Sequence, residues 1–318
     1  MADHDHEILV PHTYSAETKS TLESELADLE GATLTIAETA DETLSGFETA
    51  TVAITPRLPE EWLERATDLE WAQATSAGVD HYDLDALSER GIVLTNATGV
   101  HAQPIAEQVL GAMLSFEREF LRARDQQREG VWLRTEGGEL ASKTVGVVGL
   151  GAIGGRVAEL ASAIGSRVVG TKRDPSSAPD TADAVYPPDE LDEVLRRADY
   201  LVLACPLTEE TRGLIDGAAL ETMPDEAVLV NIARGEVADQ EALVEGLQQG
   251  RIAGAALDVF AEEPLPEESP LWNLPNVLLT PHMAGSTPHY YERIGDIFRE
   301  NFECFADGDL EGMRNRIV

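Results

Sequence analysis

Apolar residues along this chain follow two periods. Short apolar runs at residues 8–10, 33–36, 51–54, 70–74 and 92–95 alternate with stretches such as 16–29 and 59–66, where apolar residues recur every third or fourth position. The runs predict strands, and the stretches between them predict helices. Such βα alternation predicts a parallel sheet covered on both faces, and five strands suit a compact flavodoxin-like unit. From 101 to about 128 the spacing of Ile105, Val109, Ala112, Met113, Phe116 and Phe120 predicts one long helix with a single apolar face. Residues 129–143, with Gly130, Gly137 and Gly138, read as a loop. A second alternating series follows, with strands expected at 144–148, 167–171, 184–186, 200–204, 227–231, 252–258 and 277–279, and a final helix from about 288 to 306. The fold class is α/β, with two doubly wound parallel-sheet domains.

Composition adds limits. A chain of 318 residues is too long for one small core, which agrees with two domains. At 43% hydrophobic residues it buries a normal core. No stretch approaches the roughly 20 apolar residues of a membrane helix, and the acidic N-terminal region lacks the apolar core of a signal peptide. The expectation is a cytoplasmic protein with no membrane partner. Cys205 and Cys304 belong to no CxxC pair and are expected to be buried free thiols. No metal site is expected. His4 and His6 flank Asp5 near the N-terminus, where a solvated triplet is the ordinary reading, and His81, His101 and His289 lack partners at ligand spacing.

Charge changes the picture more. Asp and Glu number 59 against 23 Lys and Arg, for a formal net charge of -36, and the lysines are three: Lys19, Lys143 and Lys172. The acids are scattered rather than gathered in a tail. That pattern predicts a halophilic protein in a high-salt cytosol, where at 1 M salt the Debye length is about 3 Å and self-repulsion is screened. Nucleic acid is disfavoured as a partner.

Candidate chemistry begins at Gly149-Leu150-Gly151-Ala152-Ile153-Gly154. A G-x-G-x-x-G alone is weak, but here it follows the apolar strand at 144–148 and opens a helical stretch at 153–163. Gly149 permits the tight turn, Gly151 lets a pyrophosphate approach the backbone, and Gly154 lets the helix pack close to the strand. After the next strand, Thr171 is followed by Lys172 and Arg173 where an NAD site places an acid on the ribose. Two cations suit a 2'-phosphate, which predicts NADP(H) in preference to NAD(H), with Asp174 free to turn inward as the alternative.

Three further residues each lie past the end of an expected strand, the edge where open α/β sheets bind ligands. They are Arg234 in Val230-Asn231-Ile232-Ala233-Arg234-Gly235, Glu263 in the stretch Asp258-Val259-Phe260-Ala261-Glu262-Glu263-Pro264, and His282 in Thr280-Pro281-His282. Singly, each has a structural reading: a helix-capping arginine, a loop acid, a core histidine. Together they can hold a carboxylate, polarise a carbonyl and carry a proton.

These phrases, with Ser76-Ala77-Gly78-Val79-Asp80 and Cys205-Pro206-Leu207-Thr208, resemble the D-isomer-specific 2-hydroxyacid dehydrogenase family, which includes glyoxylate/hydroxypyruvate reductases and phosphoglycerate dehydrogenases. The resemblance spans nearly the whole chain. It implies an oxidoreductase moving hydride between NAD(P)H and a 2-oxo acid to give a D-2-hydroxy acid. It also implies a discontinuous flavodoxin-like substrate domain (1–100 with 285–318), a Rossmann nucleotide-binding domain (101–284), hinges near 101–128 and 285–291 for cleft closure, and a homodimer. Arg234, Glu263 and His282 would be the catalytic residues. Arg234 stabilises charge on the carbonyl oxygen, His282 donates the proton, and Glu263 pairs with the imidazole and favours its charged form. The turn Ser76, Ala77, Gly78 and Val79 would bind the substrate carboxylate together with Arg234. Ile232, Ala233 and Asp258 would meet the nicotinamide amide side, and Cys205, Pro206 and Thr211 the adenosine side. Glu107 matches a recurring acid and reads equally well as a helix-start acid. The substrate's side chain is expected near residues 55–58, His101 and Met283, with Arg57 the candidate for any phosphate.

Two rivals remain. A formate or phosphite dehydrogenase shares the fold, but the plain Thr280-Pro281-His282-Met283 phrase argues against formate. A non-catalytic nucleotide sensor or corepressor-like binding protein shares the fold and sometimes the trio, and turnover separates it. Phosphoglycerate is not the expected substrate, because the chain ends soon after its expected last helix and is expected to lack the extension that some phosphoglycerate enzymes carry.

Overall fold

The computed structural model describes residues 6–318, so His4 and Asp5 of the N-terminal triplet lie outside the described residues. The chain forms two compact units, one from residues up to Val100 with Thr287–Val318, the other His101–Ser286. In chain order the first unit runs β1 (His6–Val10), α1 (Ala16–Leu26), β2 (Ala32–Ile36), α2 (Ala40–Phe47), β3 (Val52–Thr55), α3 (Glu60–Arg65), β4 (Trp71–Ala74), α4 (Leu84–Arg90) and β5 (Val93–Thr95). The second runs α5 (Ala102–Glu117), α6 (Phe120–Glu129), β6 (Thr144–Val148), α7 (Ala152–Ile164), β7 (Arg167–Thr171), β8 (Ala184–Tyr186), α8 (Asp192–Leu195), β9 (Tyr200–Leu203), α9 (Gly217–Thr222), β10 (Val228–Asn231), α10 (Gln240–Gln249), β11 (Gly254–Leu257) and β12 (Val277–Leu279). Helix α11 (Tyr290–Ala306) then returns to the first unit.

In the first unit every strand pairing is parallel, in the order β2-β1-β3-β4-β5. Leu9, Phe47, Trp62 and Leu87 fill one face of the sheet. On the other face Trp71 stacks on Phe298 of α11, with ring centroids 4.6 Å apart. The spacing of Ile294, Ile297, Phe298, Phe302 and Phe305 gives α11 the apolar stripe that seats it there. Side-chain caps from Ser15, Thr39 and Asp83 start α1, α2 and α4.

The second unit's sheet is also parallel throughout, in the order β12-β11-β10-β9-β6-β7-β8. Strands buried on both faces must be nearly all apolar, which is why the runs were readable in sequence. Strand order reverses between β6 and β9, and the crevice outside the carboxyl ends at such a reversal is where open sheets hold ligands.

One expected element differs. The helix expected from 101 to 128 stops at Glu117, and α6 starts after Glu119, whose φ of 58° is left-handed. The Glu117 carbonyl accepts from the Gly138 amide at 2.8 Å, and its buried carboxylate accepts from the Tyr200 hydroxyl at 2.8 Å with Lys143 3.8 Å away. The helical ladder is thus exchanged for contacts with distant segments. Phe120, expected on the buried face, is consequently exposed, as are Val131, Trp132 and Leu133. Smaller differences are a shorter β11 than the expected 252–258, and Cys304, which is half-buried while Cys205 is buried. Among the described residues no helix is long and apolar enough to cross a membrane.

Candidate active site

The glycine signature lies at the carboxyl end of β6, at the strand-order reversal. Gly149 has φ +97°, and a Cβ on Gly154 would lie 2.1 Å from the Gly149 carbonyl oxygen, so neither position accepts a side chain. Gly151 is the N-cap of α7, makes no side-chain cap and faces open space. The first amides of α7 are therefore left for an anion. Ala152 and Ile153 open the helix, and the Thr171 hydroxyl accepts from the Gly149 amide at 3.2 Å, so Thr171 braces the turn from β7. This cradle fits a dinucleotide pyrophosphate.

Past β7, Lys172 Nζ donates to the Ser177 carbonyl at 2.8 Å. Arg173 is exposed, and its charge helps to lower the Glu210 carboxyl, chiefly held down by the Thr208 hydroxyl. Asp174 does not turn inward. Its carboxylate takes the Ser176 hydroxyl (2.6 Å) and amide (3.1 Å), which hold its pKa down with a further contribution from Lys172. After β9, Cys205 is buried, and burial raises its thiol pKa, which disfavours the thiolate. The Thr211 hydroxyl donates to the Pro206 carbonyl at 2.6 Å and accepts from the Thr208 amide at 2.7 Å, which shapes that turn.

The turn after β10 presents Arg234. Buried Asn231 accepts from the Ala233 amide (3.1 Å) and donates to the Arg234 carbonyl (3.1 Å). Ile232 and Ala233 are buried, while Arg234 is exposed, with one guanidinium nitrogen on the Ala233 carbonyl at 2.6 Å. Arginines such as Arg65, Arg196, Arg251 and Arg314 sit beside a carboxylate. Arg234 has no ion-pair partner among the described residues, so its guanidinium remains available to an incoming anion.

Gly235 explains how the next loop comes close. A Cβ there would lie 1.9 Å from the Phe260 carbonyl carbon. The Phe260 amide in turn donates to Glu263 Oε1 at 3.0 Å, and Glu263 Oε2 meets His282 Nδ1 at 2.7 Å. Partial burial pushes the Glu263 carboxyl up, but the His282 hydrogen bond, the Phe260 amide and the charge of His282 prevail and lower its pKa. An ionised carboxylate has no proton to give, so Nδ1 carries the hydrogen of this pair and Nε2 is the other, exchangeable position. Nε2 has no protein partner among the described residues, and the side chain is half exposed. Beside this pair lies a mostly apolar cavity of about 570 Å³ lined by Phe260, Leu265, Trp272 and Pro281.

Asp258, just past β11, is 3% exposed and saturated with donors from the chain. Its carboxylate takes the Thr280 hydroxyl (2.5 Å), the Gln108 amide (3.0 Å) and the Met283 and Ala284 amides (3.0 and 2.9 Å). Its carbonyl takes the His282 amide at 2.8 Å. It is therefore the floor of the His282 loop, a role the sequence did not suggest. Asn231, Gly235, Gln108 and Thr280 were missed as well. A polar residue ending an apolar strand was the available signal for Asn231.

In the first unit, the turn Ser76–Val79 follows β4. The Ser76 hydroxyl donates to the Gly78 carbonyl (2.7 Å), and Asn96 donates to the Ala77 carbonyl (2.7 Å). The amides of Ala77, Gly78 and Val79 make no hydrogen bond among the described residues, which is the condition of an anion nest. Glu107 is exposed on α5 and is bonded by Gln103.

Comparison with known proteins identifies the family. Residues 110–284 match the family model for the NAD-binding domain of D-isomer specific 2-hydroxyacid dehydrogenases. The chain is 35% identical to the D-3-phosphoglycerate dehydrogenase of Methanocaldococcus jannaschii, over 90% of this chain but 55% of that relative's length. It is 36% identical to the glyoxylate reductase of Pyrococcus furiosus, over 81% of this chain and 79% of the relative. A solved D-isomer specific 2-hydroxyacid dehydrogenase from Xanthobacter autotrophicus, in complex with NADPH and MES, superposes with a TM-score of 0.75 at 30% identity, covering 99% of this chain and 98% of that one.

Proposed function

The chain belongs to the D-isomer-specific 2-hydroxyacid dehydrogenase family, NAD(P)-linked oxidoreductases that interconvert 2-oxo acids and D-2-hydroxy acids, and we propose that it reduces a small 2-oxo acid with NADPH in preference to NADH. The observation that carries the reading is the 2.7 Å Glu263–His282 bond at the carboxyl edge of the sheet. The nicotinamide, when bound, supplies the hydride that C2 of the substrate receives. Arg234 holds the substrate anion and stabilises negative charge on the carbonyl oxygen. His282 gives that oxygen a proton from Nε2 and leaves as neutral imidazole, while Glu263 acts through His282 by stabilising its charged form. In the reverse direction His282 is the base. Gly149, Gly151, Ala152, Ile153 and Gly154 hold the pyrophosphate. Ile232, Ala233, Cys205, Pro206 and Thr211 are assigned to the cofactor, and the Ser76–Val79 turn to the substrate carboxylate, by the resemblance.

The cofactor preference rests on Lys172 and Arg173 standing where an NAD site has an acid, and on Asp174 being turned to Ser176. Solved relatives are described in complex with NADPH and with NAD, so the preference rests on this chain's own residues. We further read the protein as a cytoplasmic homodimer of a high-salt cell. The dimer reading draws on the apolar surface of Phe120, Val131, Trp132 and Leu133, of which Trp132 is 97% exposed.

The test follows nicotinamide absorbance with a panel of 2-oxo acids in molar KCl. Fast oxidation of NADPH with one acid is expected. Faster NADH turnover would overturn the cofactor preference and keep the enzyme. Tight cofactor binding without turnover would favour a sensor. His282→Ala should abolish most turnover with little change in cofactor affinity, and an unchanged kcat would remove His282 as the acid.

A further inference from the structure

His282 lies in a segment that no regular ladder supports. Residues 280–285 follow the last strand of the sheet, and His282 itself adopts φ 49°, a conformation disfavoured for any residue with a Cβ. Something outside the segment has to hold it. Asp258 does so from below: its carbonyl takes the His282 amide, and its carboxylate takes the Met283 and Ala284 amides. For this to fix the imidazole, the Asp258 side chain must keep one rotamer and the Thr280 hydroxyl must point at it.

Gln108 supplies both conditions. It stands on α5, the first helix of the second unit, and its side-chain nitrogen donates to Asp258 Oδ1 at 3.0 Å and to Thr280 Oγ1 at 2.9 Å. Because a donor already occupies a lone pair of Thr280 Oγ1, the Thr280 hydrogen is directed to Asp258, where the 2.5 Å bond is found. At the other end of the segment the His101 ring, at the start of the same helix, meets the Gly285 carbonyl at 3.1 Å. Helix α5 therefore grips the His282 loop on both sides. The cavity of about 320 Å³ beside the amide is walled largely by apolar residues such as Val109, Ala112, Ile232 and Leu278, and the hydroxyl of Ser115, its other polar side chain besides Asp258 and Thr280, is bonded to the Gly111 carbonyl at 2.7 Å.

We propose that Gln108 is a positioning residue for His282: its amide locks Asp258 and Thr280 together, and through them it aims the imidazole at Glu263 and the substrate. This rests on His282 being the acid. The titratable groups bonded to the loop or to its anchors are Glu263, Asp258 and His101, with Arg234 the fixed cation on the β10 turn, while Glu107 and Glu117 of α5 are engaged by Gln103 and Tyr200. A neutral donor suits the position, since a carboxylate in place of the amide would oppose Asp258 and a cation would compete for it.

The test compares wild type with Gln108→Leu and Thr280→Val, using Val109→Ala as a control for simple destabilisation of the same helix. In Gln108→Leu, kcat for reduction should fall about tenfold with the KM for cofactor unchanged within about twofold, the scale of loss expected from a misaimed acid. The alkaline limb of the rate should move to lower pH as the imidazole slips from Glu263. Val109→Ala should lower thermal stability and leave kcat and the limb unchanged. Thr280→Val should behave like Gln108→Leu, and the double variant should be no worse than either alone. Independently of turnover, the downfield proton resonance of the Nδ1–H bonded to Glu263 should be present in wild type and lost or exchange-broadened in both loop variants. An unmoved resonance and limb in Gln108→Leu would overturn the proposal. If that variant does not fold, Thr280→Val decides by the same readouts. If wild type turns over no 2-oxo acid, the reductase reading fails, and the resonance still decides the positioning.

Discussion

Glu263 divides its two oxygens between the loop and the imidazole, and its lowered pKa sets the sign of a pH effect. A carboxyl depressed in the folded state adds stability that is present above its unfolded value, about 4.3, and is lost as pH falls through the folded value. Anchoring of the His282 loop by this bond should thus persist through the ordinary carboxylate range and fail only in stronger acid. With His282 as the proposed acid, the reductive rate should fall on the alkaline side. Glu263→Gln keeps the shape and removes the charge. We expect turnover at neutral pH to fall and the pH–rate profile to change, because the imidazole loses its charged partner. A pH–rate profile of kcat/KM superimposable on wild type would remove Glu263 from the mechanism.

At the level of elements, the site depends on two loops touching where one residue has no side chain. Gly235→Ala would place a Cβ within 2.1 Å of the Phe260 carbonyl carbon and oxygen, and those are backbone atoms that cannot swing aside. The Arg234 turn and the Glu263 loop must then separate. We expect a loss of about 3 kcal/mol in urea unfolding, as for overpacking, with a larger proportional loss of kcat/KM. Gly111→Ala is the contrast, since a Cβ there meets nothing within 4 Å and should add up to about 1 kcal/mol to α5. Equal behaviour of the two variants would show that the close approach does not matter. The same contrast explains what was legible. The runs that became β6 and β7 could be read to the residue because a doubly covered parallel strand leaves little room for polar positions, and the half-buried edge strands β8 and β12 could be read from their short apolar runs. The Gly-rich turn and the phrases around Arg234, Glu263 and His282 stood out because each follows an apolar strand, at the edge where open sheets hold ligands. The break at Glu119 could not, because it depends on Gly138, Lys143 and Tyr200, which adjoin Glu117 only after folding. Asp258 was readable as a site residue, but not as the floor of a loop whose amides come from 25 and 26 positions later.

Across the whole molecule the dominant electrostatic fact is the net charge of -36. Each lysine has a partner: Lys19 on Glu38, Lys143 beside Glu117 and Lys172 on the Ser177 carbonyl. Surface ion pairs such as Arg196 with Asp192 and Arg65 with Glu48 offset little, because exposed pairs contribute about 0–1 kcal/mol each. Salt weakens those attractions, but it also weakens repulsion among an excess of acids that no cation in the chain can match, and the second effect is the larger. Screening should therefore stabilise this fold, most steeply at low salt, and should level off near 1 M, where the Debye length is about 3 Å. Between 0.05 and 1 M KCl we expect a melting temperature rising by roughly 10 °C, the equivalent of a few kcal/mol for a chain of this size. Sodium chloride should match KCl at equal concentration, because screening depends on ionic strength. A sulfate salt at equal ionic strength should do better, through exclusion from the protein surface. A melting temperature flat from low salt to 1 M in both chlorides would show that the acids are spaced widely enough to be indifferent to one another, and would sink the high-salt reading of the composition.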